Sequence, residues 1–189
     1  MVKPKQPHRR DSLRLYSWDY SSEAWYFITI CTKNRQLLFG DILADHLLQS
    51  PLGNIAREHW SQISERVKGI QLNEFVIMPN HLHGIIMFQL NGRRVGALHA
   101  TPLRSISNEP SISQRMAAIS PKPGSLAVII RSYKSSVTRW ARRNGYPDFA
   151  WQRGYHDHII RDGTDLSRIR RYIRLNPMRW SLDLYHHAN

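Results

Sequence analysis

Four side chains in two short segments are of the types that could do chemistry together. In Pro79-Asn80-His81-Leu82-His83 the histidines stand two apart. In a strand, positions i and i+2 face the same side. Both imidazoles would then project together while Leu82 turns into the core, and two adjacent imidazoles can chelate a divalent metal. The same spacing suits two polar histidines on a solvated strand face, in a chain that has ten histidines. In RIRRYIRLNP (168–177), Tyr172 and Asn176 stand four apart, one helical turn from each other on one face. An amide oxygen is a hard donor for a divalent cation, and a phenol is a nucleophile once activated. Its ordinary pKa of about 10 leaves it protonated at neutral pH. A nearby cation such as Arg168, Arg171 or a metal would favour the phenolate. The plain alternative is a tyrosine at a helix–sheet contact, with Asn176 as a helix C-cap.

Two look-alikes serve as controls. His156-Asp157-His158 repeats the histidine spacing around a charged residue, next to Gly154 and Tyr155. It lacks the apolar anchor that would fix both rings, so no ligand role is expected for His158. Tyr155 is the rival nucleophile, but its i+4 position is Ile159, which offers no ligand.

The elements that must position these residues follow from pattern. Residues 1–22 form a basic arm. AWYFITICTK (24–33) is aromatic and β-branched and predicts a buried strand. A turn and a short apolar edge follow to Gly40. Ala56, Trp60, Ile63 and Val67 recur at helical spacing, which predicts a helix over 55–67. Strands are expected over 71–78 and 81–88. The run 90–123 has four prolines, many serines and no sustained period, and is expected to be a mobile insertion. A helix over 126–143 presents Ile129, Tyr133, Val137 and Trp140 on one face. A strand near 158–161 and a helix over 165–175, stopped by Pro177, complete the chain. Strands interleaved with helices in this order predict one α+β domain over 23–189. It is a ferredoxin-like, RRM-like sandwich with helices on a mainly antiparallel sheet.

Composition narrows the partner. The 189 residues carry 27 Lys plus Arg against 14 Asp plus Glu, a net charge of +13, which points to a polyanion. Residues 125–179 alone hold twelve basic and four acidic side chains, interleaved with Tyr133, Trp140, Trp151 and Tyr155. Arginines among flat aromatics suit single-stranded nucleic acid. The candidate phosphate contacts are Arg9 and Arg10 on the arm (with Lys3 and Lys5), Arg131, Lys134, Arg139, Arg142 and Arg143 on one helix, and Arg153 and Arg171. No apolar run approaches the roughly 20 residues that span a bilayer, and the N-terminus does not have the form of a signal peptide. Cys31 is the only cysteine, so no intrachain disulfide and no multi-cysteine zinc site is expected.

PNHLHGII (79–86), WQRGYHDHIIR (151–161) and RIRRYIRLNP (168–177), together with residues 9–40, resemble the HUH single-tyrosine transposases. Among these they are most similar to the REP-associated subgroup. The resemblance covers most of the chain apart from 90–123, with the motifs in the family's order and spacing. It implies that His81, His83 and Asn176 hold Mg²⁺ or Mn²⁺, and that Tyr172 attacks a scissile phosphate. It further implies a hairpin-forming single-stranded DNA substrate, cut and rejoined through a 5′-phosphotyrosine. Relatives of this type work singly or as homodimers, and a cytoplasmic, nucleoid-associated setting follows. A competing reading from the residues is a non-catalytic RRM-like module that binds single strands.

Overall fold

The computed structural model describes residues 23–43, 46–89 and 124–182. The basic arm and the 90–123 insertion lie outside the described residues. β1 (Ala24–Cys31) alternates cleanly: Tyr26, Ile28 and Ile30 are fully buried on one face, and Trp25, Phe27 and Thr29 point to the other. It is the central strand. It pairs antiparallel with β5 (His81–Phe88) and with β6 (His156–Ile160), and β5 pairs antiparallel with β4 (Ile70–Met78). The four-stranded order is β4-β5-β1-β6, the arrangement of a ferredoxin-like sandwich, as the element order predicts.

One layer of helices covers the Tyr26 face. α1 (Pro51–Ser61) begins at Ser50, whose hydroxyl accepts from the Gly53 N–H at 3.0 Å, with proline at its first position. A short α2 (Ile63–Arg66) continues it. The helix thus starts four residues before the expected Ile55 and breaks at Gln62. The capping serine and Pro51 were the start signal, and the apolar period alone does not reach them. α3 (Leu126–Arg143) has the expected bounds. Trp60, Tyr133, Val137, Ile77, Leu82 and Ile86 fill the core between these helices and the sheet.

The second face is covered by α4 (Gly163–Leu175), capped by Asp162 accepting from the Asp165 N–H at 2.8 Å. A 3-10 turn, Pro177–Leu182, follows it. Ile169, Ile173 and Trp180 meet Val76, Met78, Ile85 and Ile160 there in a smaller core. β2 (Gly40–Leu43) and β3 (His46–Gln49) form a separate antiparallel hairpin, just past the expected turn and short edge and in a stretch for which no element was expected. Leu43 and Leu48 stay exposed, so no buried face left an alternating signature. Among the described residues no helix is long and apolar enough to cross a membrane.

Gly84 shows how tightly the histidine strand is held from behind. A Cβ there would stand 2.4 Å from Cζ2 of Trp60, a side chain with no exposed surface. The indole is therefore seated against bare backbone, directly after His83. Gly84→Ala should lower stability by about 1–3 kcal/mol, the usual cost of overpacking. Urea unfolding checks this, and a variant as stable as wild type would show that the indole yields freely.

Candidate active site

Strand register places Val76, His83, Thr29 and His156 in one row across the α4 face, and Met78, His81 and Cys31 in a parallel row. His81 and His83 are 0% and 1% exposed, and their Nε2 atoms are 3.0 Å apart. The network around them fixes His81. The Asn80 amide donates from Nδ2 to the Arg35 carbonyl at 3.1 Å, so its Oδ1 faces His81 Nδ1, 2.8 Å away. An amide oxygen only accepts, hence Nδ1 of His81 carries the proton and Nε2 presents a lone pair. His83 Nδ1 lies 2.8 Å from the Thr29 hydroxyl. A hydroxyl can donate or accept, so Thr29 supports either tautomer of His83. The His83 ring is stacked on Phe27, with centroids 5.3 Å apart.

Burial keeps both rings neutral. Desolvation lowers His83 to a pKa of about 3, with His156 contributing. It lowers His81 well below the usual value, helped by His83 and Arg35. Neutral imidazole is the form that ligates metal. Two nitrogens bound at about 2.1 Å in adjacent positions of a metal stand about 3 Å apart, which is the separation seen. Among the described residues no group of three or more His, Cys, Asp or Glu could hold a metal. Asn176, the third ligand that the resemblance implies, offers an amide oxygen instead. It caps α4, its own N–H donating to the Ile173 carbonyl, and it is 2% exposed. In the chain it lies between Tyr172, which touches His83, and Trp180, whose ring centroid is 6.0 Å from that of His81.

Tyr172 contrasts with these buried groups. It is 39% exposed, yet its hydroxyl reaches His83 Nε2 at 3.1 Å and its ring meets Phe27 edge-on. It opens onto a groove of about 580 Å³ whose rim carries His156, His158, Arg168, Arg171 and Arg179. Hydrogen bonds from His158 and then Arg168 hold the Asp165 carboxyl below its usual range. His158 Nε2 lies 2.7 Å from Asp165 Oδ2.

The other expected DNA contacts are placed differently. Arg131, Arg139, Arg142 and Arg143 are exposed on α3, on the far side of the sheet from Tyr172. The Lys134 ammonium donates to the carbonyls of Gln152 and Gly154 at 2.7 and 2.8 Å, and burial lowers its pKa to about 8. It thereby holds the loop on which Arg153 is exposed. Arg9 and Arg10 lie outside the described residues. Tyr155 joins the core on the α1–α3 side with its hydroxyl buried, so the structure separates it from the histidines. Sequence reasoning missed Thr29, Asn80, Phe27, Trp180, His156 and Arg179. Among them Asn80, adjacent to His81, and Thr29, a polar side chain within the apolar run of β1, left a signal.

Two outcomes follow from this geometry. If the two histidines hold Mn²⁺, Thr29→Val, which removes the hydroxyl partner of His83, should weaken its binding about 10–100-fold, whereas Thr29→Ser should retain it; calorimetric titration distinguishes them. The buried neutral histidines also make metal-free stability pH-dependent. The unfolded chain takes up a proton on His83 near pH 6.5, while the folded chain does so only near 3. Stability is therefore full above 6.5 and falls as pH drops towards 3. At pH 5.5 the loss from this one group is about 1.4 kcal/mol. His83→Gln should flatten the dependence of urea midpoint on pH, and an unchanged slope would contradict the assignment.

No family model matches the chain. It is similar to an uncharacterised protein of Haemophilus influenzae, at 39% identity over 180 residues that cover 93% of this chain and 92% of that protein. Its structure is similar to that of a REP-associated tyrosine transposase solved bound to a REP hairpin. The TM-score is 0.54 at 16% identity, covering 88% of this chain and 74% of the other. At that identity the likeness is one of fold. The chain therefore belongs to one family with the Haemophilus influenzae protein, and its fold is that of the REP-associated tyrosine transposase.

Proposed function

We propose that the protein is an HUH-type transposase that cuts and rejoins single-stranded DNA through Tyr172. The observation that carries this reading is the chain of three contacting groups. The Tyr172 hydroxyl lies 3.1 Å from His83 Nε2, which lies 3.0 Å from His81 Nε2. A nucleophile open to solvent thus stands beside a dry pair of metal-competent nitrogens. The solved transposase of the same fold was bound to a REP hairpin, which supports a hairpin-forming strand as the substrate here.

His81, His83 and Asn176 would hold Mg²⁺ or Mn²⁺, which when bound supplies a Lewis acid for a phosphate oxygen and a positive charge that favours the phenolate. The chain's own residues do the rest. Arg168, Arg171 and Arg179 on the groove rim neutralise the strand's phosphates and align it over Tyr172. The phenol oxygen attacks phosphorus as the bond to the 3′ oxygen breaks. A 5′-phosphotyrosine and a free 3′-hydroxyl result. A 3′-hydroxyl from another strand reverses the step, and the ester bond retained on Tyr172 makes a nucleotide cofactor unnecessary. The binding-module reading finds less support, because α4 covers the sheet face on which an RRM-like domain stacks its bases.

A denaturing gel of labelled single-stranded hairpin DNA with Mn²⁺ should show a slow-migrating adduct. EDTA and Tyr172→Phe should each abolish it, while Tyr172→Phe still binds the DNA. Binding without any adduct, on hairpins drawn from the gene's own flanks, would favour the binding module.

A further inference from the structure

β4 does not run straight beneath the tyrosine helix. Leu72 is opposite Ile86 and Phe75 is opposite Gly84, so Asn73 and Glu74 together stand against Ile85. Two residues against one is a β-bulge, a device that re-aims side chains. Leu72 and Phe75, three apart, both join the core under α1 and α3. An unbroken strand would send residues three apart to opposite faces. The bulge instead frees Asn73 and Glu74 to reach α4 on the other side. Asn73 Oδ1 accepts from Arg170 Nε at 2.8 Å, and Glu74 Oε1 lies 3.8 Å from the Arg174 guanidinium. Arg170 also stands over the Trp25 ring, 5.9 Å from its centroid.

Arg170 and Arg174 are one turn apart and bracket Tyr172 in the chain. At its first turn the same helix is tied to β6 through Asp165 and His158. α4 is thus fastened to both edges of the sheet, and the β4 fastening is the one at the level of the tyrosine. The Arg174–Glu74 pair is exposed and water-screened, so the half-buried Asn73–Arg170 bond is the stronger restraint on how far α4 can roll.

We propose that Asn73, acting through Arg170, is a positioning residue for Tyr172: the β4 bulge sets the roll of α4 that holds the phenol hydroxyl at His83. The inference rests on the proposed function for its catalytic consequence but not for its structural one. Misplacing a reacting group by about 1 Å can cost about 100-fold, so even a partial roll of α4 should be visible in the rate.

The test is single-turnover adduct formation at saturating hairpin DNA with Mn²⁺, using Asn73→Leu, Asn73→Asp and Arg170→Met. Asn73→Leu and Arg170→Met should each slow the step at least about tenfold with DNA affinity and melting temperature close to wild type. Asn73→Asp, which keeps the accepting oxygen, should stay within about threefold. A second readout is independent of cleavage. The ¹⁵N shift of His83 Nε2 in metal-free protein reports the Tyr172 contact, and Tyr172→Phe defines its loss. Asn73→Leu and Arg170→Met should move the shift towards the Tyr172→Phe value. A wild-type shift and a wild-type rate in both variants would overturn the proposal. If wild type forms no adduct on any hairpin, the proposed function fails, and the nitrogen shift alone decides this inference.

Discussion

Everything at this site depends on two imidazole nitrogens being held 3.0 Å apart on a dry sheet face. Left to water, two histidines would turn apart and hydrate separately. Here the i, i+2 geometry of β5 points them the same way, and the strand is clamped on both sides. Thr29 and Asn80 hold the outer ring nitrogens, Phe27 stacks on one ring, and Trp60 presses on the backbone at Gly84 from the opposite core. The ring orientations are thus a property of the whole sandwich rather than of the loop between β4 and β5. Burial then sets the protonation state, since neither ring is charged at physiological pH. That combination is costly for a merely structural pair, because two adjacent neutral histidines gain little that apolar side chains would not supply.

Tyr172, the proposed nucleophile, is set differently from the three proposed ligands. His81, His83 and Asn176 are buried, while Tyr172 is partly open on the groove side. The helix end accounts for this division. Ile169 and Ile173 pack on the sheet, Asn176 is buried at the helix end, and Tyr172 leans past Phe27 to reach His83 from the solvent edge. The Tyr172 hydroxyl is therefore reachable from the groove while the two imidazoles stay shielded from bulk water, as the proposed function requires. The positive charge divides too. Arg168, Arg171 and Arg179 surround the groove, whereas the α3 arginines sit across the sheet from it.

Local pattern carried the parts of this architecture that repeat. The apolar runs marked β1 and β5 as strands, strand geometry put His81 and His83 on one face, and the period near 3.6 in α3 and α4 marked which helical residues share a face. The spacing of Tyr172 and Asn176 placed them on one turn. What pattern could not carry was the side of the sheet on which each helix lies. For that reason the α3 arginines and Arg171 stood as one set of candidate contacts, although the fold separates them. The partners of the histidines were equally hidden. Thr29 lies 54 residues from His83, and only strand register brings the two together. The bulge at Asn73–Glu74 breaks the alternation by a single residue, and in a polar stretch such a slip has no hydrophobic marker. The β2–β3 hairpin escaped for a similar reason, since neither strand buries a continuous face.

The most direct measurement is pulsed electron paramagnetic resonance of Mn²⁺ bound to the protein, read for nitrogen couplings from coordinated imidazole. The account predicts couplings from two imidazoles in wild type, from one in His81→Ala or His83→Ala, and from two in Tyr172→Phe. Mn²⁺ bound with no imidazole coupling, or with couplings indifferent to His81 and His83, would contradict it.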